Sequence, residues 1–257
     1  MPKEIKIIQD FLFTADKAFS KITFDPLPHK YEYEGNTGIS VTKLVHHYVP
    51  EFDLEKMSKL TAEKKGVSQQ EIKDLWQNNV IASGEKGTIT HKYLENSILG
   101  LSKESEEKFL FDSYPDTLIQ VKNFIEDLKE SEYVPVATEQ RVVDKLVWLF
   151  GSLDLIVFNK KKSLFEIFDF KTSKKIEHSK YGNLLYPINY LCQGEINTYS
   201  LQLDLYKKML KKELPFEFGS NKIVHFNGRK NENYSIIELK DQSKAVDLIY
   251  NDYYKNN

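Results

Sequence analysis

The chain has 257 residues, 40% hydrophobic, 13% aromatic and 29% charged, which is enough to bury a sizeable core in one large domain or two small ones. With 36 Lys and Arg against 38 Asp and Glu the net charge is −2, so composition excludes a strongly basic nucleic-acid-binding domain and leaves any such contact to local charge. The one cysteine, Cys192, excludes an intrachain disulfide, a four-cysteine iron–sulfur cluster and a cysteine-based zinc site, and it suits a reducing, cytoplasmic compartment.

The opening MPKEIKIIQDFLF carries acids among its apolar residues and does not read as a secretory signal. No run of 18 apolar residues is present, so no membrane span is expected. Pro2 to Ser20 reads as a helix, and Ile22 to Gly35, with its weak alternation and two prolines, as short edge strands or an extended arm. Gly38 to Thr42 leads into a helix, TKLVHHYV, that must end before Pro50. Asp53 to Lys65 and Ser68 to Asn79 are charged amphipathic segments, the second opening with the capping box Ser68-Gln69-Gln70-Glu71. Gly84-Glu85-Lys86-Gly87 is expected to punctuate the chain before a helix, Thr88 to Leu99, on which His91 and Glu95 share a face.

Lys103 to Lys108 reads as a solvated turn. Leu118, Val121, Ile125 and Leu128 then recur at helical spacing across Asp116 to Lys129. Val134 to Val143 and Leu146 to Gly151 read as strands, and Glu139 in the first faces either the site on the hairpin that follows or solvent, with solvent preferred. Asp154 to Asn159 and Leu164 to Lys171, joined by Lys160-Lys161-Lys162-Ser163, read as a hairpin. Its loop length sets Asn159 against Leu164, Phe158 against Phe165, Ile156 against Ile167 and Asp154 against Asp169, with Lys171 further along the same face. Opposed carboxylates at the end of an apolar stripe destabilise a sheet unless something cationic lies between them, and a divalent cation held against a phosphate would do so. The plainer alternative is a surface hairpin with solvated charges.

Thr172, Lys174, Lys175 and Lys180 continue this strand into a local basic surface suited either to a phosphate backbone or to solvent. Asn183 to Pro187 reads as loop, and Cys192 to Glu213 as a long helix burying Tyr199, Leu203, Tyr206 and Leu210, with Gln202 beside Tyr206. A hairpin, Lys222 to Asn227 and Tyr234 to Leu239, and a last helix, Asp241 to Tyr254, complete an α+β chain.

In order, the chain then presents GTxxHxxxE on a helix (Gly87, Thr88, His91, Glu95), GxxD (Gly151, Asp154), DxK (Asp169, Lys171) and QxxxY on a helix (Gln202, Tyr206), preceded by Ser40-Val41-Thr42 and Trp76. Each is weak alone; the four in this order resemble the RecB-like branch of the PD-(D/E)XK nuclease superfamily, especially the phage exonucleases and the mitochondrial genome maintenance exonucleases. The resemblance spans about Gly38 to Leu210. It implies a restriction-endonuclease-like core, a central mixed β-sheet flanked by helices, in a single nuclease domain with an N-terminal part to about residue 85 and the core over about 86–240. It further implies that Asp154, Asp169, His91 and the Phe170 main-chain carbonyl ligate Mg²⁺ or Mn²⁺, that Lys171 positions the attacking water, and that Glu95 supports the metal. Gln202 and Tyr206 would contact DNA or steady the lysine. The implied substrate is DNA with free ends, single- or double-stranded, and the implied partner a single-strand annealing or recombination protein. An endonuclease on the same fold and a catalytically inert DNA-binding module remain open at this point.

Overall fold

The hairpin at the centre of the chain is built as its pattern requires. β-Branched and aromatic residues fill both strands, and the pairs Asn159↔Leu164, Phe158↔Phe165 and Ile156↔Ile167 all form. The computed structural model describes residues 2–256, without the side chains of residues 178–181 and 256, so Lys180 lies outside the described side chains.

In chain order the elements are α1 (Lys3–Phe19), β1 (Ile22–Asp25), β2 (Lys30–Tyr33), β3 (Asn36–Thr37), β4 (Ile39–Ser40), α2 (Val41–His47), α3 (Leu54–Lys65), α4 (Gln69–Leu99), α5 (Glu104–Ser113) and α6 (Pro115–Glu130). There follow β5 (Tyr133–Asp144), β6 (Leu149–Asn159), β7 (Leu164–Lys171), β8 (His178–Asn183), β9 (Cys192–Gly194), α7 (Glu195–Glu213), β10 (Phe218–His225), β11 (Ser235–Glu238) and α8 (Ser243–Asn256). The main sheet has the order β11-β10-β7-β6-β4, with β5 along the other edge of β6. It is mixed: β6–β7, β5–β6 and β10–β11 are antiparallel, while β7–β10 and β4–β6 are parallel. One face carries a core that includes Phe11, Leu44, Leu203, Leu210 and Ile249 from α1, α2, α7 and α8, packed on Ile156, Phe158, Phe165 and Ile167. The other carries Tyr93, Leu110, Val121 and Phe124 from α4, α5 and α6 on Leu155, Val157, Phe168 and Phe170. The fold is therefore α+β, a mixed central sheet between two helical layers. No helix among the described residues is long and apolar enough to cross a membrane.

Four expectations need correction. α4 runs unbroken through Gly84-Glu85-Lys86-Gly87, so a subdivision near residue 85 falls inside a helix. Each glycine costs a helix about 1 kcal/mol, but this stretch is docked: the Lys86 ammonium donates to the Thr172 carbonyl at 3.1 Å. Lys103–Lys108 is not a turn. α5 begins at Glu104, its first turn holding Glu104, Glu106 and Glu107 where the helix dipole favours acids, and it is anchored by buried Leu110. Leu146–Gly151 and Asp154–Asn159 belong largely to one strand, β6, because Gly151 lies within the ladder opposite Val142. The long helix starts at Glu195, since Cys192–Gly194 pairs with β8 as β9.

Candidate active site

β6 is the organising strand. β5 bonds one of its edges from end to end, whereas the other edge is shared, β7 taking Leu155–Asn159 and β4 taking Leu149 and Phe150. Gly151 to Asp154 thus faces an opening in the sheet. The β6–β7 register ends at Leu155↔Phe168, so the expected Asp154↔Asp169 pair is not a rung of the ladder. The Asp154 carboxylate instead accepts from the Phe170 backbone N–H at 2.6 Å.

His91, carried on α4, reaches into this opening. Its Nε2 donates to the Phe170 carbonyl at 3.0 Å, and its Nδ1 lies 3.3 Å from Asp154 Oδ1. Both ring nitrogens face acceptors, an arrangement that favours the imidazolium. Burial works against that charge, but Asp154 outweighs it and holds His91 up at about 9. Burial likewise pushes Asp154 up, yet His91, Lys171 and the Phe170 N–H hold it below the usual carboxylate range.

Asp169 has the other cation. Lys171 Nζ lies 2.6 Å from Asp169 Oδ2 and 4.7 Å from the centroid of the Tyr199 ring on α7. Burial, helped by the Asp154 charge and opposed by Lys171, raises Asp169 to about 6. Burial acts to neutralise Lys171, but the two aspartates keep it above its ordinary value and therefore charged. Lys171 is thus the partner of the buried Asp169 Oδ2, which no other donor among the described residues reaches.

Glu139 does both things the sequence left open: it is exposed, as preferred, and it also lies across from Asp154, between the Thr138↔Leu155 and Gln140↔Leu153 rungs, with φ +47°. Its carboxylate accepts from Ser152 Oγ at 3.1 Å. Desolvation by the surrounding cleft and then Asp154 raise its pKa. Among the described residues, His91, Glu139 and Asp154 offer ligand atoms that all lie within 4.8 Å of one another. The rungs on either side keep one register, so what brings Glu139 opposite Asp154 is the long-range pairing of β5 with β6, which local alternation does not specify. Tyr199 was read only as part of a buried helical face; its position over the ammonium depends on how α7 crosses β7.

The remaining candidates sit at different depths. Glu95 pairs with Lys92 at 2.8 Å on the wall of a cleft of about 950 Å³ that also receives His91, Glu139, Arg141 and Phe24. Tyr206 is 3% exposed, so it has almost no surface to offer a ligand. Its hydroxyl accepts from Gln202 Nε2 at 3.4 Å and bonds Thr42, and its ring fills the place a side chain at Gly151 would need. The GxxD, QxxxY and Ser40-Val41-Thr42 signals therefore meet in one packing contact. Lys175 is exposed and paired with Glu177 at 3.4 Å. Thr172 and Lys174 line a separate pocket behind α4.

The donor set suits a hard or borderline divalent cation: one imidazole and two carboxylates within mutual reach, with the buried Asp169 carboxylate, held by Lys171, beside them. No protein-family model matches the chain, and no curated protein does. Among solved structures, a crystal structure described as a "putative exonuclease" from Eubacterium rectale aligns with a TM-score of 0.41 and 14% identity. The alignment covers 66% of this chain and 64% of that one, so this chain spans somewhat less than two thirds of that neighbour's length.

Proposed function

We propose that the chain is a single-domain, divalent-metal-dependent deoxyribonuclease of the PD-(D/E)XK superfamily, an exonuclease of the RecB-like kind that works from DNA ends in phage- or plasmid-type recombination, replication or repair, in the cytoplasm. The observation that carries the reading is the convergence of His91, Glu139 and Asp154 beside the Asp169–Lys171 ion pair at the opening of the sheet. A free-ended DNA strand is the substrate, and a single-strand annealing or recombination protein is the partner in this reading.

His91, Glu139 and Asp154, with Asp169, would hold Mg²⁺ or Mn²⁺. Such an ion, when bound, polarises the scissile phosphate and makes water nucleophilic at neutral pH. The chain's own groups supply the rest. Lys171 keeps its charge in spite of burial and can offset negative charge that develops on the phosphate. The Tyr199 face restricts where that ammonium can go. Asp154, Glu139 and Asp169 repel an incoming phosphate, so binding of DNA at this point should be poor without a cation. Because His91 bridges Asp154 and the Phe170 carbonyl as a cation, it must lose a proton to become a ligand.

The test is digestion of end-labelled linear single- and double-stranded DNA with Mg²⁺ or Mn²⁺, a closed circle alongside, and Asp169→Ala as the control. The reading expects linear DNA to be degraded, the circle to be spared, and both chelator and the substitution to stop the reaction. Cutting of the circle would make the enzyme an endonuclease. Full activity in EDTA, or identical behaviour of Asp169→Ala and the parent, would overturn the reading.

A further inference from the structure

α4 separates two concavities. Gly87, Thr88, His91 and Glu95 line the cleft that holds the candidate centre, and Asn79, Ala82, Ser83 and Lys86, a turn apart on another side of the helix, line a second pocket of about 330 Å³. Its floor is Lys86, 9% exposed, a depth at which lysine normally has a carboxylate. Lys86 makes no ion pair among the described residues: its ammonium donates to the Thr172 carbonyl at 3.1 Å and lies 5.6 Å from the centroid of the Tyr114 ring. The neighbouring charge is a second cation, Lys174, likewise without an ion pair among the described residues, and burial together with Lys174 pushes Lys86 down.

Two further features open this space to an anion. α6 starts at Pro115 in the pocket wall with no side-chain cap, so the N–H groups of its first turn lack the partner a Ser or Asp cap would supply. Gly228 crosses the pocket at φ +64°. A Cβ there would fall 2.6 Å from Thr117 Oγ1 and 2.9 Å from Lys86 Nζ, so the space above the ammonium exists only because this residue is glycine. Asp116 is the one acid in the lining, half-buried in the first turn of α6. Thr172, which closes the pocket on the sheet side, directly follows Lys171.

We infer that Lys86, Lys174 and the start of α6 form a phosphate-binding subsite that holds a second phosphate of the same nucleic-acid strand, behind α4 from the scissile one. This rests on the nuclease reading and deepens it. The recognising chemistry is a phosphate group, whether an internal phosphodiester or the monoester at a strand end. Lys175, committed to Glu177, is not part of it.

The experiment titrates short single strands bearing a 5′-phosphate, a 3′-phosphate or only hydroxyl ends against the protein in Ca²⁺, by fluorescence anisotropy over a salt series. Lys86→Met should weaken binding about tenfold or more, the scale of a lost charge-assisted contact, and reduce the salt slope by about 0.7, the share of one phosphate contact on a single strand. Lys174→Ala, at an exposed position that should leave folding intact, is expected to move both readouts in the same direction. A loss confined to one phosphorylated end identifies a terminal monoester, and an equal loss on all three identifies the backbone; either supports the subsite. Parental affinity and slope in both variants overturn it. If the parent itself neither binds nor cuts DNA, the nuclease reading fails separately. The pocket is then decided by inorganic phosphate: a rise in the parent's Tm that Lys86→Met abolishes supports an anion site, and no rise in the parent overturns it.

Discussion

Gly151→Ala tests whether the glycine of GxxD and the tyrosine of QxxxY are one structural device. A Cβ at residue 151 would lie 2.2 Å from Tyr206 Cε1 and 3.0 and 3.1 Å from two further ring atoms. Carbon atoms pack best at about 3.5–4.0 Å, so the ring would have to retreat by more than about 1 Å. It has little room to do so, being 3% exposed and tied at its hydroxyl to Gln202 and Thr42. Overpacking of this kind costs about 1–3 kcal/mol, and the gain from replacing glycine within a strand returns only about 0.5–1 kcal/mol. The net expectation is a loss of about 1–2 kcal/mol, read as a lower urea midpoint at unchanged slope. Tyr206→Leu opens space and carries its own cavity cost, but the double substitution should cost less than the sum, with a coupling of at least about 1 kcal/mol. Tyr206→Phe keeps the ring and removes only the hydroxyl, and should leave nuclease activity near the parent's. Additive costs, or Gly151→Ala unfolding at the parental midpoint, would refute the packing account. A large fall in activity for Tyr206→Phe at parental stability would return the tyrosine to the substrate.

In chelator, Tm should fall as pH rises from about 6.5 through about 9. His91 is raised on folding, so its contribution is fully present below 6.5 and lost above its folded value, at most roughly 3 kcal/mol; His91→Gln should flatten this window. Lys171→Met should lower the cleavage rate about 10²–10³-fold with folding preserved by circular dichroism, and a tenfold or smaller loss would remove the lysine from the chemistry. Glu139→Gln should weaken Mn²⁺ binding in a calorimetric titration, and parental affinity would exclude Glu139 from the ligand set. On the far part of the sheet Glu166 is fully buried against Lys222; Glu166→Leu should cost about 3–5 kcal/mol in urea unfolding by stranding the ammonium, and adding Lys222→Met should recover much of it.

What the sequence made legible is what short-range rules govern. The capping box at Ser68 and Glu71 forms as spelled, the 160–163 loop sets the hairpin register, and the apolar spacing of α6 marks its buried face. What stayed hidden depends on contacts between elements. Two glycines in four residues read as a break, and only the docking of Lys86 on the end of β7 keeps α4 helical there. Gly151 read as the end of a strand because nothing local announces that a ring from α7 occupies its missing side chain. Glu139 is exposed as preferred, but its place across from Asp154 depends on the register of β5 against β6, which no local pattern specifies.

The paired aspartates show how far a sequence-level objection reaches. Two carboxylates near one another on adjacent strands are unfavourable as a bare pair, which made a bound cation seem necessary for the arrangement. The fold relieves them differently, giving Asp154 to His91 from α4 and Asp169 to Lys171 under Tyr199 of α7. Folding therefore does not require a metal ion, because each charge already has a partner from its own side. Function in the proposed reading then requires one of these pairings to be undone. The weaker-held partner is His91, whose 3.3 Å contact and titratable ring can yield Asp154, whereas Lys171 keeps its proton. Cation affinity should consequently rise with pH over the range in which His91 deprotonates and then level off.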